Sequence, residues 1–495
     1  MPIMDEPTSL DPQIADSNSE KLVAANCYEG LVRIMADGTI GKGVATDWNI
    51  SDDGLTYTFK LRNNSHWAMF SGHKAVLGEN YEDTFDITVK AEDFKFGIER
   101  TLSEQTGSAD APLFSAVKSI STPDDFTIVF NLSYADDNFL YALTNPGAMP
   151  CDEEFFNLTN GKYGLDAKYL LCNGPFHVSK WTEKTSVKLA KNNEYNGESS
   201  VSPSSVTFYI NNDDSEVADK MNSVTYDVAF LSSSQFSSIE NKKDLNSVAV
   251  QNVTYSFIFN QNDNNYRNKN MRLAFCRSCD TSSLFDSQSD ISKADGIVPP
   301  SCKIGGEDYR NGNAAELLSY DETLAKKNFN DALLELGSSS VETTILCTEQ
   351  YESFVKQMVQ KLQKTLGVKF VSTVKVVSES DLEAAVNDGN YSVAFYPFKA
   401  KSSFAGEIIE VFDQNNIFGY ESDVLSQKIR NIKNNSGSLE GERSAVADAE
   451  NYLVSEAVIM PVFYENSYFV TSKKTSGIYF YSSADNVCFI NAKKS

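Results

Sequence analysis

The sequence predicts an α/β protein divided into two or three domains, and three observations carry that expectation. The chain has 495 residues, more than one hydrophobic core organises. From Lys326 to Tyr396 helical and strand patterns alternate, the sign of α/β layers with parallel strands. Near the N-terminus, Trp48–Ser51 and Leu55–Leu61 flank Asp52-Asp53-Gly54 as an antiparallel hairpin.

Each element follows from its local pattern. A helix is expected around Ser19 to Cys27. In the hairpin, Leu55, Tyr57, Phe59 and Leu61 share one face, with Thr56, Thr58 and Lys60 on the other. From Lys90 to Leu102, Phe94, Ile98 and Leu102 recur at i, i+4 and i+8, and early acids suit a helix N-terminus. Pro123-Asp124-Asp125 reads as a turn into the strand Thr127–Leu132. Strands follow at 176–181, 186–190, 206–210, 226–231 and 255–260, with a short helix over 216–221. The second half alternates: helix 326–336 stopped by Gly337, strand 343–347, helix 351–366 closed by Gly367, strand 368–377, helix from Asp381, strand 391–396. A long helix, 439–456, leads into the strand Ile459–Tyr464. No period of 20–50 residues repeats.

Composition narrows the function classes. Hydrophobic residues make up 41% and aromatics 12%, enough for a packed core. No run of 18 apolar residues suggests a membrane span. A net charge of −25 repels nucleic acid and anionic lipid, and Lys473-Lys474 and Lys493-Lys494 are isolated doublets, so nucleic-acid binding is not expected.

Chemistry-bearing motifs are sparse. Eight cysteines permit disulfides in an oxidising compartment, with the pairing open. Cys276-Arg-Ser-Cys279 lies on one face of a helical pattern and lacks the second pair a zinc site needs, so buried thiols or a local bridge is the expectation. His66 and His73 read as surface residues and His177 as a structural residue in a strand. No GxSxG, Walker A, GxGxxG or HExxH pattern occurs. Catalytic residues, metal ligands and cofactors are therefore expected to be absent.

Several ordered motifs carry a resemblance. They are the block Tyr28 to Arg62, PTSLDP (7–12), VKAEDFKFGIERTL (89–102), NGPFHVSKWTEKTSVKLAKNNEYNG (173–197), FNQNDNNYRNKNMRLAFCRSCD (259–280), Pro299-Pro300 and the helix 326–337. Together they resemble the extracellular solute-binding proteins, family 5, of peptide and nickel ABC importers. The resemblance implies a two-lobed α/β fold of the type II periplasmic-binding-protein kind, with an extra side domain on the first lobe. Lobe 1 would combine 1–44, 172–253 and 459–495; the side domain would be 45–171, and lobe 2 would be 254–458. It implies a bacterial, non-enzymatic protein that captures an oligopeptide and delivers it to a membrane permease. An oligosaccharide or other polar small molecule is the alternative within the fold, and a secreted hydrolase the alternative outside it. A monomer is expected, extracellular or periplasmic. Met1-Pro2-Ile3-Met4 runs straight into Asp5-Glu6-Pro7, so a leader and a lipid-anchoring cysteine are expected outside these residues.

The resemblance places the ligand against strand ends: Glu29, Gly30 and Leu31; Phe230, Leu231 and Ser232; Tyr255, Ser256 and Phe257; Tyr396 and Phe398; and Tyr464. Backbone pairing with an extended peptide would give affinity without reading side chains. For each aromatic the competing reading is core packing. One departure is visible. Peptide binders of this family carry an Asp in a DYxxP-like segment to anchor the peptide's amino terminus. Here the segment reads Phe395-Tyr396-Pro397-Phe398-Lys399-Ala400-Lys401, with two lysines and no acid. The loop from His66 to Thr88 is a second departure, longer than the compact turn of the family.

Overall fold

A computed structural model describes the chain except residues 36–38, 137, 198–199, 282–283, 286–289, 400–403, 436–437 and 482–485. Two compact units emerge, Met1–Ala249 with Tyr468–Ser495, and Val250–Ser467.

The first unit holds two four-stranded sheets. Strands β1 (Pro2–Ile3), β6 (Phe176–Thr182), β7 (Ser186–Lys191) and β8 (Ser205–Ile210) form one, in the order β1-β8-β7-β6. Strands β2 (Ala45–Ile50), β3 (Thr56–Leu61), β4 (Val117–Asp124) and β5 (Thr127–Leu132) form the other, in the order β2-β3-β5-β4. The β2–β3 hairpin pairs Ile50 with Tyr57 and Trp48 with Phe59. Its turn needs Gly54, whose φ of +69° lies in the left-handed region. Tyr57, Phe59 and Leu61 are buried as the alternation requires.

Strand β4 corrects the reading of Pro123 as a turn residue. The strand continues through Asp124, with a register shift against β5 between Ser121 and Asp124. Because β4 is an edge strand, the missing N–H of Pro123 costs the ladder nothing on its outer side.

Helix α1 (Asn18–Cys27) begins with a capping box between Ser17 and Glu20. The Glu20 carboxylate also accepts from the Thr8 amide (2.7 Å) and hydroxyl (2.8 Å). It thereby ties the PTSLDP segment to the helix, so this motif is a structural brace. Helix α2 (Ala91–Leu102) buries Phe94 and Ile98 as its spacing predicts. Strand β9 (Val228–Ser232) follows in the same unit.

The second unit is built on strands β10 (Leu245–Phe259), β11 (Ile291–Lys293), β12 (Val341–Thr348), β13 (Phe370–Val377), β14 (Val393–Lys399) and β15 (Ile459–Ser472). Their order is β15-β10-β14-β12-β13, with β11 on β15. β12 runs parallel to both β13 and β14, while β10 is antiparallel to β14. Helix α3 is Lys269–Arg277, α4 Glu322–Leu336, α5 Glu352–Leu366, α6 Glu379–Asn387, α7 Asp423–Asn434 and α8 Leu439–Ser455. α5 and α6 form the crossovers β12–α5–β13 and β13–α6–β14. One sheet face buries Phe257, Phe259, Val359 and Phe395 with α3, α4 and α5. The other buries Ile258, Leu346, Leu382 and Ile429 with α6, α7 and α8. β10 and β15 each carry the chain from one unit to the other, at 249–250 and 467–468.

Candidate ligand-binding site

In the first unit, Glu29 is buried and fully engaged. Its carboxylate pairs with Arg62 and accepts from Tyr195 Oη at 3.2 Å. Its backbone N–H donates to Asn173 Oδ1 (3.0 Å), and its carbonyl accepts from Asn173 Nδ2 (2.8 Å). The Gly30 carbonyl accepts from Val44 N–H at 2.9 Å, and that of Leu31 from Gly43 and Ala45 N–H. The Leu31 side chain is fully buried in the core. Phe230 is half-buried against Phe469 and Phe480. Leu231 packs inside with Val217, Met221 and Tyr226. The Ser232 hydroxyl caps a short helix by accepting from Gln235 N–H.

In the second unit, strand alternation sends the expected residues to opposite sheet faces. Tyr255 and Phe257 lie on the face covered by α5, whereas Tyr396 and Phe398 lie on the α6 face. Phe257 and Ser256 are fully buried, and Ser256 Oγ meets no hydrogen-bonding group of the described residues. Phe398 packs on Phe412 and Phe418. Tyr464 is buried, and its Oη accepts from Asp295 N–H at 3.1 Å. Lys401 lies outside the described residues.

Tyr255, like Tyr396, is only half-buried. Its ring lies 4.4 Å from that of Tyr351, 5.1 Å from Phe463 and 5.4 Å from Phe395, between centroids. Beside this cluster sits Glu465, a residue the sequence reading passes over. Its Oε1 accepts from Tyr351 Oη (2.5 Å) and Gln350 Nε2 (3.1 Å). Burial raises its pKa above the ordinary glutamate range, although the two hydrogen bonds act the other way. Gln350 also lines a cavity of about 890 Å³ with Thr348, Glu349, Lys375, Ser378 and Glu379. That cavity opens where β12 and β13 end, a usual ligand position in parallel sheets.

His73 corrects the expectation of a surface histidine. It is 1% exposed, with Nε2 at 3.1 Å from the Leu170 carbonyl, and its ring packs on Phe70 and Phe155. Burial drives its pKa down to about 4. All eight cysteines are free, and Cys276 and Cys279 are buried with pKa values pushed up to about 12. These are inert thiols. Among the described residues no group of three or more His, Cys, Asp or Glu could hold a metal ion, and no helix is long and apolar enough to cross a membrane.

Comparison with known proteins agrees with this architecture. Over residues 39–417 the chain matches the model of bacterial extracellular solute-binding proteins, family 5. The dipeptide-binding protein DppE of Bacillus subtilis is 24% identical over 496 residues, spanning 96% of this chain and 88% of that one. Among solved structures, peptide-bound OppA of Listeria monocytogenes superposes with a TM-score of 0.75 at 20% identity, covering 100% of this chain and 98% of that one. The dipeptide-binding protein of Pseudoalteromonas sp. SM9913 in complex with Met-Leu gives 0.76 at 17% identity, covering 100% and 99%. MoaA of A. tumefaciens R10, in complex with mannopinic acid, gives 0.73 at 16% identity, covering 99% and 98%. The fold is that of type II periplasmic binding proteins, and the chain belongs to the bacterial extracellular solute-binding proteins, family 5.

Proposed function

We propose that this protein is the extracytoplasmic solute receptor of an ABC importer, that its ligands are oligopeptides, and that it hands them to a membrane permease without chemical change. The observation that carries this reading is similarity along nearly the whole chain, 96%, to a relative named for dipeptide binding. The half-buried Tyr255 ring, seated on the buried Tyr351, Phe463 and Phe395, supports it, because a site that takes varied peptides needs apolar contact area with few fixed polar groups. The protein would act as a monomer held near the membrane by a lipid anchor, and hinge closure around the ligand would be its switching mode. A thermal-shift titration with mixed short peptides tests it: stabilisation that grows with peptide concentration is expected. Stabilisation by sugars alone would replace the reading.

A polar small molecule is the second reading. It is favoured by one observation, the mannopinic acid held by a protein of the same fold.

A further inference from the structure

Cys27 and Cys172 come from distant parts of the chain and meet in the core of the first unit. Cys27 closes helix α1, and Cys172 lies just before strand β6. The two backbones are in direct contact there. Gly174 N–H donates to the Cys27 carbonyl at 2.9 Å, and the Asn173 side chain bonds both backbone groups of Glu29. A Cβ at Gly174 would meet the Cys27 carbonyl carbon and the Tyr28 nitrogen at 2.6 Å each, so only glycine allows this approach. The two cysteines share one apolar cluster at 0% and 1% exposure, and the Cys27 thiol is hydrogen-bonded to that of Cys172.

Both thiols are free in this structure. Two adjacent thiols on segments already held together by backbone hydrogen bonds need little movement to bond. Other buried thiols have different neighbours: Cys151 Sγ lies 3.5 Å from Arg100 Nη1, and Cys279 Sγ 3.2 Å from Met358 Sδ. The family is described as extracellular, and disulfides persist outside the cytosol.

We propose that Cys27 and Cys172 form a redox pair, closed to a disulfide while the chain folds and sealed by the core afterwards. The oxidant is a small-molecule or protein disulfide. One cysteine thiolate attacks it and expels a thiolate, and the other cysteine then attacks the mixed disulfide and expels the second. The Cys27–Cys172 bond forms, the oxidant's S–S bond breaks, and the two protons pass to the departing sulfurs. After folding the exchange is slow. The sulfurs are buried, and burial raises the Cys27 pKa well above the ordinary thiol range, leaving little thiolate. The redox state set during folding is therefore retained. The bond ties the end of α1, and with it the segment Glu29–Leu31, to the entry of β6, whatever the ligand.

Wild type and Cys172→Ala are refolded with and without a mixture of oxidised and reduced glutathione, quenched with N-ethylmaleimide and digested without reduction. Wild type refolded with glutathione should yield a cross-linked peptide pair containing Cys27 and Cys172, absent from Cys172→Ala. Dithiothreitol should cleave this bond only after denaturant is added. The oxidised protein should melt about 5–15 °C above the reduced one, as for a disulfide closing a long loop. If both cysteines carry maleimide after oxidative refolding, or Cys172 is found bonded to Cys151, the pairing is wrong. If the folded protein is reduced as fast as the denatured one, the sealing is wrong, and equal melting temperatures would deny the tie. The wild-type peptide map decides the pairing even if Cys172→Ala fails to fold.

Discussion

Arg100 Nη2 lies 2.5 Å from Asp11 Oδ2, joining helix α2 to the PTSLDP segment through a nearly buried ion pair. Arg100 Nη1 also donates to Gln13 Oε1 at 2.6 Å, and the guanidinium sits 4.1 Å above the Phe156 ring. Removing one partner strands the other charge. Asp11→Ala should therefore cost about 3–5 kcal/mol in denaturant unfolding. A loss under about 1 kcal/mol would mean the pair is solvated in practice.

Gly43 lies against the backbone of residues 30–31, which the resemblance expects to contact ligand. A Cβ at this position would meet the Gly30 carbonyl oxygen at 2.3 Å and that of Leu31 at 2.9 Å. Both are backbone atoms and cannot rotate away. Gly43→Ala should displace the 30–31 segment, lower stability by about 1–3 kcal/mol and weaken ligand binding. Unchanged stability and affinity would show that the segment yields freely.

Phe257 and Tyr255 should separate stability from binding. Phe257 is fully buried, so Phe257→Ala should cost about 3–5 kcal/mol. Tyr255 is half-buried, and Tyr255→Ala should reduce ligand affinity more than it reduces unfolding free energy. If Tyr255→Ala unfolds the protein as readily as Phe257→Ala, the ring is core.

His73 should make the protein acid-sensitive. Its folded pKa of about 4 lies below the ordinary 6.5, so the unfolded chain takes up the proton first. The stability it contributes is present above pH 6.5 and lost as pH falls toward 4, with a slope of up to ~1.4 kcal/mol per pH unit. His73→Phe should flatten the unfolding free energy over this window relative to wild type. Parallel profiles would contradict the assignment.

Local pattern carried most of the fold. The hairpin was legible because alternation and Gly54 agree, and the crossover β12–α5–β13 because α5 ends on Gly367. Strand β4 was hidden by its polar sequence and Pro123, which only an edge position tolerates. Helix α7 was overlooked although Leu425, Ile429 and Ile432 keep helical spacing. The site was less legible, since Tyr255 and Ser256 look alike as neighbours and only the pleat separates their faces. Glu465 announces itself weakly, as an acid after an apolar run. Its partners Gln350 and Tyr351 come from a turn 115 and 114 residues earlier, a proximity that no local pattern encodes.

Native mass spectrometry of freshly purified protein decides whether this protein carries peptides. A heterogeneous set of bound masses that fragment as peptides and leave on denaturation is the expected result. A single bound sugar or other non-peptide mass would contradict it.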